Sequence, residues 1–172
     1  PPPPPLSPAA GPAPPSLPWT HPPPPDPTGV LLAVPDDAIP EVAGRLAGLP
    51  LPASIPVLHL SGSLDAGVLE PLARAGHPTG GVHPLCAVAD PVEGADRLRG
   101  AAFGVEGEGA ARELAERIVR AAEGTTLELP PGGKALYHAA AVFASNYVVG
   151  LLAVAERLME RVGIPAEAAR PA

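Results

Sequence analysis

Residues 29–63 read GVLLAVPDDAIPEVAGRLAGLPLPASIPVLHLSGS, and this stretch decides the fold. GVLLAV (29–34) is a short, continuously apolar run of strand type. Pro35-Asp36-Asp37 turns the chain and opens a helix reaching about Ala47. Pro40 is tolerated because the first helical turn has no intrahelical hydrogen bond for it to break. PVLHL (56–60) is a second strand. Ser61-Gly62-Ser63 then caps a second helix that reaches Ala75 and stops at Gly76. Strands apolar on both faces, alternating with helices, imply an α/β fold whose parallel sheet is covered on both sides.

Further along, GGVHPL (80–85) is a third strand. A loop through Asp90-Pro91 leads to a fourth, AAFGVEG (101–107). Residues 109–122 form an amphipathic helix with Leu114, Ile118 and Ala121 on one face. TTLEL (125–129) is β-type, with two threonines. Pro130-Pro131-Gly132-Gly133 breaks the alternation, and a long helix follows from Lys134 to Val162. That break is the expected domain boundary: 28–130 as the α/β domain and 131–172 as the start of a helical one.

Toward the N-terminus, 15 of the 28 prolines fall in residues 1–27, where Asp26 is the only formal charge. Each proline removes an N–H and fixes φ, so 1–27 reads as a polyproline-like or disordered arm. The chain opens on Pro1 and its single methionine is Met159, so it is expected to be an internal piece of a longer protein.

The net charge of −7, without a basic run, argues against a nucleic-acid surface, which needs clustered Lys and Arg. A single cysteine, Cys86, excludes an internal disulfide and a cysteine-based zinc cage. It fits a reducing, cytoplasmic compartment. No charged segment followed by an apolar run suggests a secretory signal. Residues 135–155 carry no formal charge and are long enough to cross a bilayer. His138, Ser145, Asn146 and two tyrosines interrupt them, and alanine outnumbers leucine. The favoured reading is the buried helix of a globular domain, with no membrane involved.

Open α/β sheets bind ligands outside the carboxyl ends of their strands. Those ends carry Val34-Pro35, Ser61-Gly62 and His83-Pro84. His83 is the leading chemical candidate, a group able to titrate near neutrality beside a rigid proline. On the long helix, His138 lies about 40° and Ser145 about 20° around from Lys134, on one polar stripe. Asn146 lies toward a neighbouring face. Lys134 and His138 could touch one small substrate; Ser145 and Asn146 would meet something longer or simply be satisfied core groups. His59 reads as a strand residue under a helix, His77 as a loop residue, and Cys86 as inert. The 19 glycines hold no G-x-G-x-x-G; Gly107-Glu108-Gly109 is followed by Arg112 where the third glycine belongs. No metal site is expected.

VLLAVPDDAIPEVAGRLA, VLHLSGS, GVHPL and KALYHAAAVFASNYVVGLLAVAE together resemble a bacterial family with a Rossmann-like N-terminal domain and a C-terminal domain of unknown function. That family is similar in build to pyrroline-5-carboxylate reductase, ketopantoate reductase and the 3-hydroxyacid dehydrogenases. The resemblance covers about residues 28–170. It implies an NAD- or NADP-binding Rossmann-like domain, only partly present in 28–130. It further implies a helical domain that makes a homodimer, and an oxidoreductase acting on a small molecule. Lys134 matches a catalytic lysine of the related dehydrogenases, but His138 stands where they carry asparagine. His83 resembles the histidine of the His-Pro-Met turn in prephenate dehydrogenases. The resemblance thus implies His83, Lys134 and His138 as catalytic, Val34, Pro35, Ser61 and Gly62 along the cofactor, and Ser145 and Asn146 toward substrate. The alternative is a non-catalytic binding or regulatory protein that keeps the fold.

Overall fold

The structure, a computed structural model, describes residues 27–87, 91–165 and 168. All of the proline-rich arm except Pro27 lies outside the described residues, as does Asp90.

Five strands form one sheet in chain order: β1 (Val30–Leu32), β2 (Val57–His59), β3 (Thr79–Pro84), β4 (Ala102–Gly107) and β5 (Thr125–Glu128). β1, β2 and β3 are parallel, and β4 and β5 are parallel, but β4 runs antiparallel to β3. The sheet is therefore mostly rather than wholly parallel. The reason lies in the β3–β4 link. It contains a helix, α3 (Pro91–Leu98), where the sequence reading had a loop. The link returns the chain to the edge it left, so that Pro84 pairs with Phe103. β4 therefore starts at the carboxyl edge of β3 and runs back.

Both faces are covered. Side chains alternate along a strand, and β2 shows it directly. Val57 joins a cluster with Leu32, Ile39, Ala43, Leu46, Leu69 and Leu72 beneath α1 (Ile39–Ala47) and α2 (Glu70–Arg74). Leu58 joins Val82, Phe103, Val105, Ala111, Ala115 and Val119 beneath α4 (Gly109–Ala121) on the opposite face. The fully buried positions of α4 are Ala111, Ala115 and Val119, while Leu114 and Ile118 only pack around that cluster. Small alanines let α4 approach the sheet closely, so its inner face is centred one position away from the expected one.

The helix between β2 and β3 is shorter than the sequence suggested. A 3-10 turn, Ala66–Leu69, precedes α2, and its cap is Asp65, whose carboxylate accepts from the Gly67 amide at 2.9 Å. Ser61-Gly62-Ser63 caps no helix. It remains a loop at the edge of the sheet, free to serve the site.

The long C-terminal helix is present but interrupted: α5 (Lys134–Val142), a π-helical segment Phe143–Tyr147, then α6 (Val148–Arg161). Only its first residue, Lys134, is buried. Leu136, Leu151 and Val162 are 78%, 71% and 74% exposed. The expected burial of this helix in a helical domain is not supplied by the described residues, none of which covers it beyond its first two turns. The span Lys134–Arg161 is long and apolar enough to cross a membrane by length and composition. The apolar character that suggested burial needs a partner surface that these residues do not supply.

Candidate functional site at the carboxyl edge of the sheet

Three glycines let α5 sit directly on the sheet. The paired row His59–Gly81–Glu106 crosses β2, β3 and β4, and His83 pairs with Gly104 one step further along. Laterally paired residues share a face, here the face of Val57, α1 and α2. Gly81 has no side chain, and Lys134 Nζ takes the space: a Cβ there would lie 2.5 Å from Nζ. Tyr137 fills the gap over Gly104, its Cζ 2.7 Å from the absent Cβ. His138 comes against Gly62, where a Cβ would lie 2.7 Å from its Nδ1 and 2.6 Å from His83 Nε2.

The cluster has two levels. The lower one is buried. Lys134, 1% exposed, donates to Glu106 Oε1 at 3.0 Å. His59 Nε2 lies 3.7 Å from the same oxygen, outside hydrogen-bond reach, and has no partner. The Ser61 amide donates to His59 Nδ1 at 3.2 Å, which leaves the ring proton on Nε2. Burial first, and then the Lys134 charge, push the His59 pKa down to about 4, so the ring is neutral. Burial also lowers the Lys134 pKa, opposed by Glu106.

The upper level faces the strand ends. His83 Nδ1 lies 3.2 Å from the Tyr137 hydroxyl, and the two rings meet edge to face. The His83 and His138 rings are 6.1 Å apart. His138 Nδ1 is buried without a hydrogen-bond partner. Burial, assisted by Lys134 and His138, lowers the His83 pKa to about 4. Beside the imidazoles, Asp36 Oδ2 accepts from Ser61 Oγ and Ser63 Oγ, each at 2.7 Å. Burial alone would raise the Asp36 pKa, but the hydrogen bonds from the Ser63 and Ser61 hydroxyls lead the effects that outweigh it, and the value falls below the ordinary one.

Of the residues expected from sequence, Ser61, Gly62, His83 and His138 come together, with Lys134 one level beneath them. Val34 and Pro35 lie exposed just before Asp36, at the end of β1. Ser145 and Asn146 are exposed on the π-helical segment. Ser145 Oγ donates back to the Ala141 carbonyl at 2.7 Å, and Asn146 Oδ1 lies 3.3 Å from the same Oγ. The wider π turn breaks the 100° phase that put Ser145 on the stripe of Lys134. Sequence reasoning missed Glu106, Tyr137, Ser63 and the Gly81 and Gly104 gaps. A charge at an alternate position of the otherwise apolar AFGVEG strand was the available signal for Glu106.

The fold class is now defined: a Rossmann-like α/β sheet followed by an extended helix. Residues 101–171 match the family model of a domain of unknown function, DUF2520. Among solved structures, a protein from Thermotoga maritima is similar, with 27% identity and a TM-score of 0.64 over 80% of this chain and 51% of that one. A candidate NADP oxidoreductase from Bacteroides fragilis matches at 17% identity and a TM-score of 0.59, over 80% and 52%. Prephenate dehydrogenase from Aquifex aeolicus matches at 18% identity and a TM-score of 0.52, over 78% and 49%. The chain spans about half the length of these structures. Comparison with curated proteins gave no match.

Proposed function

We propose that the chain carries the substrate-facing edge of an NADP- or NAD-dependent oxidoreductase. The observation that carries this reading is the convergence of His83 Nε2 and His138 Nδ1 on Gly62, at the carboxyl ends of parallel strands. The buried, unpartnered His138 Nδ1 suits the oxygen of a hydroxyl or carbonyl substrate. A dinucleotide fits this edge only in part. A pyrophosphate calls for cations or clustered amides, whereas the ionic side chain at the ends of β1 and β2 is the Asp36 carboxylate. Val34, Pro35, Ser61 and Gly62 would line the nicotinamide end, which supplies or accepts the hydride when bound. His83, neutral at pH 7, polarises the reacting oxygen by hydrogen bonding. His138 holds the substrate. Lys134 sets the height of α5 above the sheet.

Within that class the reading extends to the 3-hydroxyacid dehydrogenase and ketopantoate reductase type, with pyrroline-5-carboxylate reductase similar in build. The prephenate dehydrogenase and NADP oxidoreductase fold likenesses support it. Residues 28–130 would then be part of the cofactor domain and 131–172 the start of the helical one. The protein would be a cytoplasmic homodimer through its helices, with a small-molecule substrate and no nucleic acid or membrane. One observation favours the non-catalytic alternative: Lys134, which the resemblance makes catalytic, has its amine closed into a buried ion pair.

The test is titration of the chain with NADPH and NADH followed by amide NMR. Millimolar binding, with shifts centred on Gly62, His83 and the Ser61 turn, is expected. Unmoved signals there at saturating cofactor would leave the non-catalytic binding reading in its place.

A further inference from the structure

We infer that Tyr137 is a positioning residue that holds His83 in its Nε2–H tautomer, so that a hydrogen-bond donor faces the Gly62 cleft. The inference deepens the reading of His83 given above, but its test needs neither cofactor nor substrate.

The geometry is specific. Tyr137 Oη lies 3.2 Å from His83 Nδ1, the ring nitrogen turned away from Gly62, while Nε2 is the atom that a Gly62 Cβ would strike. The phenol is seated in the gap over Gly104, where a Cβ would lie 2.9 Å from its oxygen, and Gly104 is the residue paired with His83 across β3 and β4. One strand pairing therefore sets both ring and hydroxyl.

Burial raises the Tyr137 pKa, with a hydrogen bond from the Gly104 backbone opposing it, so the phenol keeps its proton. A phenol O–H donates more strongly than an imidazole N–H, and an imidazole nitrogen accepts more strongly than a phenol oxygen, so the favoured direction across the 3.2 Å contact runs from the Tyr137 hydroxyl to His83 Nδ1. The groups facing His83 are Lys134, Tyr137 and His138 from α5, Asp36 from the end of β1, and the backbones of Gly62 and Gly104. Their net effect keeps the ring neutral at pH 7. A neutral imidazole carries one N–H, and the bond made by one nitrogen decides where it sits. An acceptor at Nδ1 leaves the donor at Nε2.

The experiment is two-bond 1H–15N spectroscopy of the full chain labelled at histidine. A single Nε2–H tautomer is expected for His83 at pH 7. Tyr137→Phe keeps the ring over Gly104 but removes the hydroxyl. It should give a mixture of both tautomers and raise the His83 pKa by about half a unit to one unit, the worth of one neutral hydrogen bond. His59, held by the Ser61 amide, should keep its Nε2–H spectrum and so report an intact sheet. Gly104→Ala, which displaces the ring with its hydroxyl intact, should reproduce the mixture. A His83 Nδ1–H tautomer in the parent chain, or an unchanged His83 spectrum in Tyr137→Phe, overturns the inference. If cofactor binding fails while the tautomer result holds, the functional reading falls and this one stands.

Discussion

Lys134 Nζ occupies the place where Gly81 would carry a side chain, 2.5 Å from the position of the absent Cβ. The helix that leads out of the sheet is thus keyed to it by a gap, and the gap puts the amine 3.0 Å from Glu106. His138, one turn later on α5, is brought to Gly62 by the same seating.

Gly81→Ala fills that gap. The new methyl would meet Lys134 Nζ, Glu106 Oε1 at 3.0 Å and His59 Cε1 at 3.1 Å, all in a buried layer. Overpacking of this kind costs roughly 1–3 kcal/mol. Urea unfolding should show that loss, together with shifted His138 resonances as α5 lifts. A variant as stable as the parent would mean that Lys134 can leave without cost.

Lys134→Met leaves Glu106 buried without its cation, and a loss of about 3–5 kcal/mol is expected. Glu106→Gln should cost less, because an amide can still accept from the amine. The double variant Lys134→Met with Glu106→Leu removes both charges and should recover most of the loss. With the single Glu106→Leu variant closing the cycle, additive effects on denaturation would rule out a coupled pair.

Stability should fall with acid. His59 and His83 titrate near 6.5 in an unfolded chain and at about 4 in the folded one. Between those values the unfolded chain binds more protons, so stability is full above the unfolded value and declines as pH drops toward the folded one. The complete loss is roughly 3 kcal/mol per imidazole. Chemical denaturation at pH 7 and pH 5 should show the slope, and His59→Gln should remove its share. A flat profile would show that the imidazoles are accessible to water.

The exposed apolar helix should drive self-association. Leu151, Val149 and Phe143 are 71%, 66% and 66% exposed, more apolar surface than a monomer usually shows on one helix. Sedimentation should find a concentration-dependent dimer, and Leu151→Glu should shift it toward monomer. A monomer that instead binds neutral lipid vesicles would favour the membrane reading of the same helix.

Much of the fold was legible in residues 29–63, because short apolar runs separated by capped helices admit few arrangements. β1 and β2 followed from short apolar runs, α1 from the Pro35-Asp36-Asp37 turn, and α4 from its hydrophobic period. The direction of β4 did not, since an apolar hexapeptide reads alike in both directions and only the return of the link past α3 decides it. The second helix was placed too early because Ser61-Gly62-Ser63 resembles a cap, whereas Asp36 takes both hydroxyls.

The site divides in the same way. His83 and the Ser61-Gly62 turn were visible because strand ends in α/β sheets carry ligands, and that rule needs only the order of elements. Glu106 and Tyr137 were not, because each acts through a glycine on another element, and a missing side chain carries no local pattern. The sequence by itself determined the alternation, the apolar period and the polar residues at the strand ends, all set by nearest-neighbour backbone and burial preferences. Only the tertiary structure decided that Lys134 lies over Gly81, Tyr137 over Gly104 and His138 against Gly62. Those contacts join positions far apart in the chain, and strand register, which no single segment specifies, brings them together.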